Sequence, residues 1–333
     1  MNLRYASINA KLKGMHAKFL NKDELYQLSR QNDIKNAVYF IKNELEVLEN
    51  LDENVDRLAI EKELDKMIIK DIYKIEKKLP KKDKEIFQMY VSKYEIKCII
   101  EIYKSVHNNI DINNSADLVR VWTNEIFKNI RQIDFVANDE QFLQALKKSR
   151  YYKIVKAFIE NNAQSISDLE MALYKKYFKD LYSELAKLNK KALDLIGQNI
   201  DLLNIQWIYR MKKYYKLSKE EITEKILDIN YNLTKQSIED LLDLKDYEDF
   251  KRIIKLTKYS RIVQSAEEKS LEYEINKYLY NKCKKEFVLG KYNINTVFCY
   301  MTLKEFQKQN IINILGGINY KIDKKEIENK IIT

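Results

Sequence analysis

The chain has 333 residues, 45% of them hydrophobic and 33% charged, with a net charge of +10. That length can bury a sizeable core and suggests two or three domains. Five Gly and one Pro leave little punctuation for hairpins, tight turns or Gly-rich phosphate loops, so the composition reads as all-α. In chain order, Tyr5, Ile8, Leu12, Met15 and Phe19 recur at steps of three or four and mark one face of a first helix. Asn21 with Glu24 has the spacing of a capping box, opening a helix that carries Leu25 and Leu28. Asp33 is placed to cap the next helix. A long amphipathic stretch from Val55 to Leu79 stops at Pro80, and a further block runs from Lys84 to Lys104. The turn formers from His107 to Ser115 read as a linker. Leu118 to Ile133 is then expected to be helical, Asn138 resembles the earlier cap, and Tyr151–Ile159, Ile166–Leu188 and Leu193–Lys213 complete a second round. A third round starts near Leu217, has Thr234 in the cap position, and continues through Tyr247–Leu256, Ser270–Leu289 and a last block up to Tyr320.

The rounds share a frame. Asn310 has Phe306 and Gln307 before it and Ile311 and Ile314 after it; Asn204 has Ile200, Asp201, Ile205 and Ile208, and Cys98 has Tyr94, Glu95, Ile99 and Ile102. The three centres are 106 residues apart. At about 100° per residue these positions fall on one arc, so each copy sets a polar pair (Glu95/Cys98, Asp201/Asn204, Gln307/Asn310) within an apolar stripe. A polar group there is expected to be buried and hydrogen-bonded, to an adjacent helix or to its neighbour three residues away. A second match, Ile60-Glu61-x-x-Leu64, Leu169-Glu170-x-x-Leu173 and Leu271-Glu272-x-x-Ile275, keeps the same order. Three homologous helical units follow, at 1–118, 119–226 and 227–333.

The net positive charge would ordinarily suggest a nucleic acid or an anionic surface. Only nine of the 60 basic residues are Arg, however, and Lys accompanies an excess of Ile, Asn and Tyr, all residues with A/T-rich codons. Cys98, Cys283 and Cys299 have no metal-ligand spacing and read as reduced thiols of a cytosolic protein. No h-region of a signal peptide and no 18-residue apolar run stands in the sequence. There is no phosphate loop, and the two histidines, His16 and His107, have no partner spacing that implies a triad. Gly316-Gly317 reads as a bend or helix C-cap. Tyr174-Lys-Lys-Tyr177 and Tyr214-Tyr215-Lys216 have the form of base-stacking platforms, but such residues more often pack against a neighbouring helix. No cofactor is implied.

Tyr5-x-x-Ile8-Asn9-Ala10-Lys11-Leu12-Lys13-x-Met15, with Phe19-Leu20, resembles the N-terminal signature of the C-type subunit of V-type rotary ATPases, related to the eukaryotic d-type subunit. Lys304-Glu305-x-x-x-x-Asn310-Ile311-x-x-Ile314-Leu315 resembles that family's C-terminal motif. The resemblance implies three similar helical domains forming a funnel with pseudo-threefold symmetry. It also implies a non-catalytic central-stalk subunit on the cytoplasmic face of the membrane, joining rotor shaft subunits of the D and F type to the membrane proteolipid ring. Lys11, Arg210 and Glu305 are the candidate partner contacts it carries over. The family's Arg after Asn-Ile is Ile312 here, and its second acidic position is Gln307. A basic helical nucleic-acid-binding protein and a freestanding scaffold remain the alternatives that composition leaves open.

Overall fold

The computed structural model describes residues 3–45, 57–107, 119–123, 126–127, 136–161, 165–188, 190–264, 271–290 and 293–333. Most of the expected His107–Ser115 linker, and of the Leu118–Ile133 segment beyond the helical residues 119–123, lies outside them. The described residues form sixteen α-helices and no strand. These are α1 Leu3–His16, α2 Lys22–Ser29, α3 Ile34–Glu44, α4 Arg57–Glu76, α5 Lys81–Val91, α6 Lys93–His107, α7 Asp139–Ala145 and α8 Tyr152–Glu160. They continue as α9 Ile166–Leu188, α10 Lys190–Arg210, α11 Lys219–Lys225, α12 Lys235–Leu242, α13 Tyr247–Lys255, α14 Leu271–Leu289, α15 Ile294–Asn319 and α16 Lys324–Asn329.

Short side chains start these helices by accepting the backbone N–H groups that have no partner in a first turn. Asn21 caps α2 and closes a capping box with Glu24; Asp33, Asn138 and Thr234 cap α3, α7 and α12. The block from Lys84 to Lys104 is built from two helices, α5 and α6. They meet at Ser92, whose hydroxyl turns back to the Met89 carbonyl at 2.7 Å. After α10 the chain makes a π turn, Met211–Tyr215, and stops at Lys216 with φ 52°. After α15 it stops at Lys321, also left-handed, with φ 53°. Gly316 and Gly317 therefore cap nothing. They lie inside α15, where a Cβ on Gly317 would come within 2.6 Å of the Ile327 side chain. Glycine is needed there for the close approach of α16.

The third round, which carries Thr234, has a shifted counterpart in the round before it. Asn138 and Asp246, 108 residues apart, each cap a helix. Phe142 and Phe250 follow, both fully buried, then Ser149 and Thr257, each accepting from the N–H of a buried tyrosine two residues on, Tyr151 or Tyr259. The structural match of Asn138 is thus Asp246, and α12, which Thr234 caps, precedes it.

Apolar burial is distributed over three clusters. The largest gathers α1, α5, α6 and α7–α9 with the first halves of α10 and α15 around Phe87, Tyr151, Leu181 and Phe298. A second joins the second half of α10 and α11 to α12, α13 and the start of α14, through Ile205, Ile208, Leu241, Phe250 and Ile275. The third has the same composition one round later. The second half of α15 and α16 pack on α2, α3 and the start of α4, through Ile311, Ile314, Leu28, Ile41 and Ile60. Each fully buried Leu or Ile contributes about 1.5–3 kcal/mol. Two of these cores therefore join the end of one sequence round to the beginning of the next, and the third joins the last round to the first.

Candidate functional site

Between the helices lies a cavity of about 1050 Å³. Its wall is drawn from the same positions of each round. Glu61, Glu170 and Glu272, from the shared motif of α4, α9 and α14, all line it. So do Asp65, Tyr174 and Asn276 one turn further along those helices, and Ile68, Tyr177 and Leu279 beyond them. The helices that carry the repeated frame, α6, α10 and α15, contribute Lys93, Asn199 and Glu305 at one position and Lys97, Leu203 and Gln309 at another. In the frame of Cys98, Asn204 and Asn310 these lie five residues and one residue before each centre.

Charges in the wall are tied together. Lys93 Nζ lies 2.7 Å from Glu305 Oε1 and 4.1 Å above the Tyr90 ring, and Tyr94 donates its hydroxyl to the same carboxylate. Burial pushes the Glu305 carboxyl up, but Lys93 and Lys97, with the bonds from Lys93 and Tyr94, outweigh it and hold the group below the usual carboxylate range. Lys308 Nζ reaches Asp65 at 2.6 Å and Glu61 at 3.3 Å, and Lys225 pairs with Asp168. Of the three expected partner contacts, Glu305 and Arg210 line the cavity. Lys11 is exposed on α1 and is not part of the cavity wall. Tyr174, Tyr177 and the exposed Tyr215 also belong to the wall, with the Tyr177 hydroxyl bonded to the Tyr90 carbonyl; Tyr214 is exposed and is not part of it.

The repeated polar pairs act behind the wall, as joints. Asn204 is fully buried; its Nδ2 donates to the Leu227 carbonyl and its Oδ1 accepts from the Leu227 N–H, both at 2.9 Å. Asn310 makes the same two-bond clamp on Ile332, at 2.8 and 3.0 Å. The partner in both copies is the backbone just beyond a short helix, 22 or 23 residues on, rather than a neighbouring helix or the residue three before. Cys98, in the first copy, is a buried free thiol whose ionisation burial disfavours. Three residues earlier in the second copy, Asp201 accepts from the N–H groups of Tyr231, Asn232 and Leu233 and from the Tyr259 hydroxyl. Burial raises its pKa against these bonds. Glu95 accepts from Ser149 Oγ at 2.7 Å. Gln307 differs in kind: its Nε2 is buried with no partner among the described residues. Both carboxylates thus hold the beginning of the following round, the part that carries Tyr151 or Tyr259. Gly197 completes the joint of Asp201, since the Tyr231 ring lies where its Cβ would be.

His16 lies between the tilted rings of Phe19 and Phe287, with centroids 4.6 and 4.8 Å away, and burial then Lys284 and Lys304 lower its pKa. His107 rests on the Tyr103 ring beside Asp139. Among the described residues no helix is long and apolar enough to cross a membrane.

A repeated all-helical scaffold that surrounds a cavity with equivalent residues of three rounds, and keeps its polar pairs for internal joints, has the character of an assembly subunit. Residues 8–330 match the family model described as ATP synthase (C/AC39) subunit. The chain belongs to that family, the C subunits of A-type and V-type ATP synthases, and is part of a rotary ATPase. It is 24% identical to the A-type ATP synthase C subunit of Methanocaldococcus jannaschii, covering 99% of this chain and 86% of the relative. It is 21% identical to that of Pyrococcus abyssi, over 90% of this chain and 83% of the relative. With that of Thermococcus kodakarensis it shares 25% identity over 75% and 71%.

Proposed function

We propose that the chain is the non-catalytic central-stalk adaptor of its complex, with three homologous units, 1–118, 119–226 and 227–333, closed about the cavity in pseudo-threefold fashion as a funnel. The observation that carries this reading is the lining of one cavity by the same positions of three rounds. The two cores of like composition support it, because the last round packs on the first as the second packs on the third. In this reading the cavity accepts the end of the rotor shaft, made of D- and F-type subunits, and the outer surface sits on the proteolipid ring at the cytoplasmic face of the membrane. The adaptor transmits torque through protein contacts and takes part in proton or sodium transport without binding a nucleotide or a cofactor.

Affinity capture of the tagged chain from detergent-solubilised membranes of its own cell tests the reading. Shaft subunits and proteolipid are the expected co-purifying proteins. Recovery of nucleic acid, with neither shaft subunit nor proteolipid at any ionic strength, overturns it in favour of the basic nucleic-acid-binding alternative. Recovery of unrelated soluble proteins instead favours a scaffold.

A further inference from the structure

The cavity's backbone positions repeat three times and Glu61, Glu170 and Glu272 keep one side chain, but the other repeated positions differ. At the position one residue before each frame centre stand Lys97, Leu203 and Gln309; five before, Lys93, Asn199 and Glu305; on the long helices, Asp65, Tyr174 and Asn276. The side built from α4 and α6 is therefore ionic, and α15 joins it through Glu305 and Lys308. The side built from α9, α10 and α14 carries Glu170, Arg210 and Glu272 but also an apolar sector, Leu203, Trp207 and Leu279, all only half-buried. Lys97 is exposed to the cavity, its Nζ 5.5 Å from the centre of the Tyr94 ring.

We propose that the cavity is a keyed socket for the tip of one amphipathic helix. Its apolar side lies on Leu203, Trp207 and Leu279, and a carboxylate on its other side faces Lys97. This rests on the reading of the cavity as the seat of the shaft and adds what the seated element must look like. Size selects a single helix: with side chains a helix is about 10–12 Å across and rises 1.5 Å per residue, so about 1050 Å³ holds roughly six to nine residues of one helix. Apolar and charged sectors set side by side select an amphipathic one, because either a charge on the apolar sector or an apolar face on the ionic sector is desolvated without a partner. The same mismatch rejects the two other orientations that a threefold backbone would admit, each turned by about 120°. A joint that passes torque needs that rejection, since a symmetric socket would let its occupant settle in any of three settings.

The test exchanges two side chains around the ring while keeping the composition. Lys97→Leu with Leu203→Lys moves the cation from one sector to another, and binding of the purified D- and F-type shaft subunits is measured against the unaltered chain. The expected result is at least a tenfold loss of affinity with an unchanged thermal melt. As a second readout independent of that variant's folding, a photoreactive phenylalanine analogue replaces Lys97 or Trp207 in otherwise unaltered chains. Crosslinks from the two positions are expected on different faces of the same shaft helix. Affinity retained by the exchanged chain, or crosslinks from both positions to one face, overturns the keyed socket alone. An unaltered chain that binds no shaft subunit overturns both the key and the shaft reading beneath it.

Discussion

Replacing Asn204 by Leu removes a polar side chain, puts an apolar one of nearly the same size in its place, and leaves the two backbone groups of Leu227 without partners in a buried place. The clamp is two bonds of 2.9 Å to one residue, an N–H and a C=O, in surroundings closed to water. Each buried group left unpaired costs about 1–3 kcal/mol, and the added apolar surface returns part of it, so the net loss is about 2–4 kcal/mol. Unfolding entropy near the midpoint is about 2.1 cal/mol/K per residue, or about 0.7 kcal/mol/K for a chain of this length, which converts the loss to a Tm lower by roughly 3–6 °C. Asn310→Leu is expected to do the same through Ile332, because the geometry of the clamp is the same. Asn313→Leu serves as the control on that helix. Asn313 is exposed and bonded to the neighbouring Gln309 side chain, so it should shift the melt by no more than about 1 °C. Differential scanning calorimetry of the three variants decides. If Asn204→Leu and Asn310→Leu melt with the control, the polar positions in the frame are not structural joints.

Asp201→Ala strips partners from three backbone N–H groups and the Tyr259 hydroxyl, and is expected to cost about 3–5 kcal/mol by chemical denaturation, more than either Asn variant. Gly197→Ala drives a methyl into the Tyr231 ring; about 1–3 kcal/mol should be lost, and most of it regained when Tyr231→Ala is added, so a strictly additive double variant would refute the contact. Glu305 has its carboxyl pKa held below the ordinary glutamate value in the folded chain, so its ion pair adds stability above the unfolded chain's value and loses it as pH falls through the folded one. The melting gap between the unaltered chain and Glu305→Gln should accordingly be widest near neutral pH and close as the carboxyl takes up its proton in acid. A gap constant from neutral pH into acid would show that Lys93 and Tyr94 do not favour the ionised form.

The helix starts were legible because their cause is local: the caps at Asn21, Asp33, Asn138 and Thr234 each act within three residues of their own position. The frame of Cys98, Asn204 and Asn310 was legible as a pattern because it recurs at a constant spacing, yet its bonding was not. A side-chain amide in an apolar stripe announces that it must be paired, and nothing in its neighbours says that the pair is backbone 22 or 23 residues on. Ser92 splits one block into two helices by a hydroxyl bond that the same residue type could have made to solvent elsewhere. Gly316 and Gly317 suggested a bend, whereas the approach of Ile327 that calls for Gly317 comes from tertiary packing. Glu61, Glu170 and Glu272 stood in the sequence as signs of repetition. Their common place on the cavity wall follows from how three long helices converge, which spacing alone does not contain.

Repetition and function draw on different parts of each round. The joints are where the copies agree in role: a carboxylate at Glu95 and Asp201 holding the next round, an amide at Asn204 and Asn310 closing on a later backbone segment. Those positions must pair internally, and an unpaired buried group is penalised wherever it occurs, so physical chemistry keeps them alike. Gln307 departs from that pattern, on the helix through which the last round packs on the first. The junction around it is held by Arg30 to Glu328 and Lys308 to Asp65, and by Ile311, Ile314 and Leu315 packed on α2 and α3. The cavity wall is constrained only in part: Lys93 with Glu305 and Lys308 with Asp65 are paired in it, whereas Leu203 and Trp207 can diverge without orphaning a polar partner. On the proposed threefold reading, a scaffold whose joints repeat while most of its facing positions differ presents a single face to its occupant.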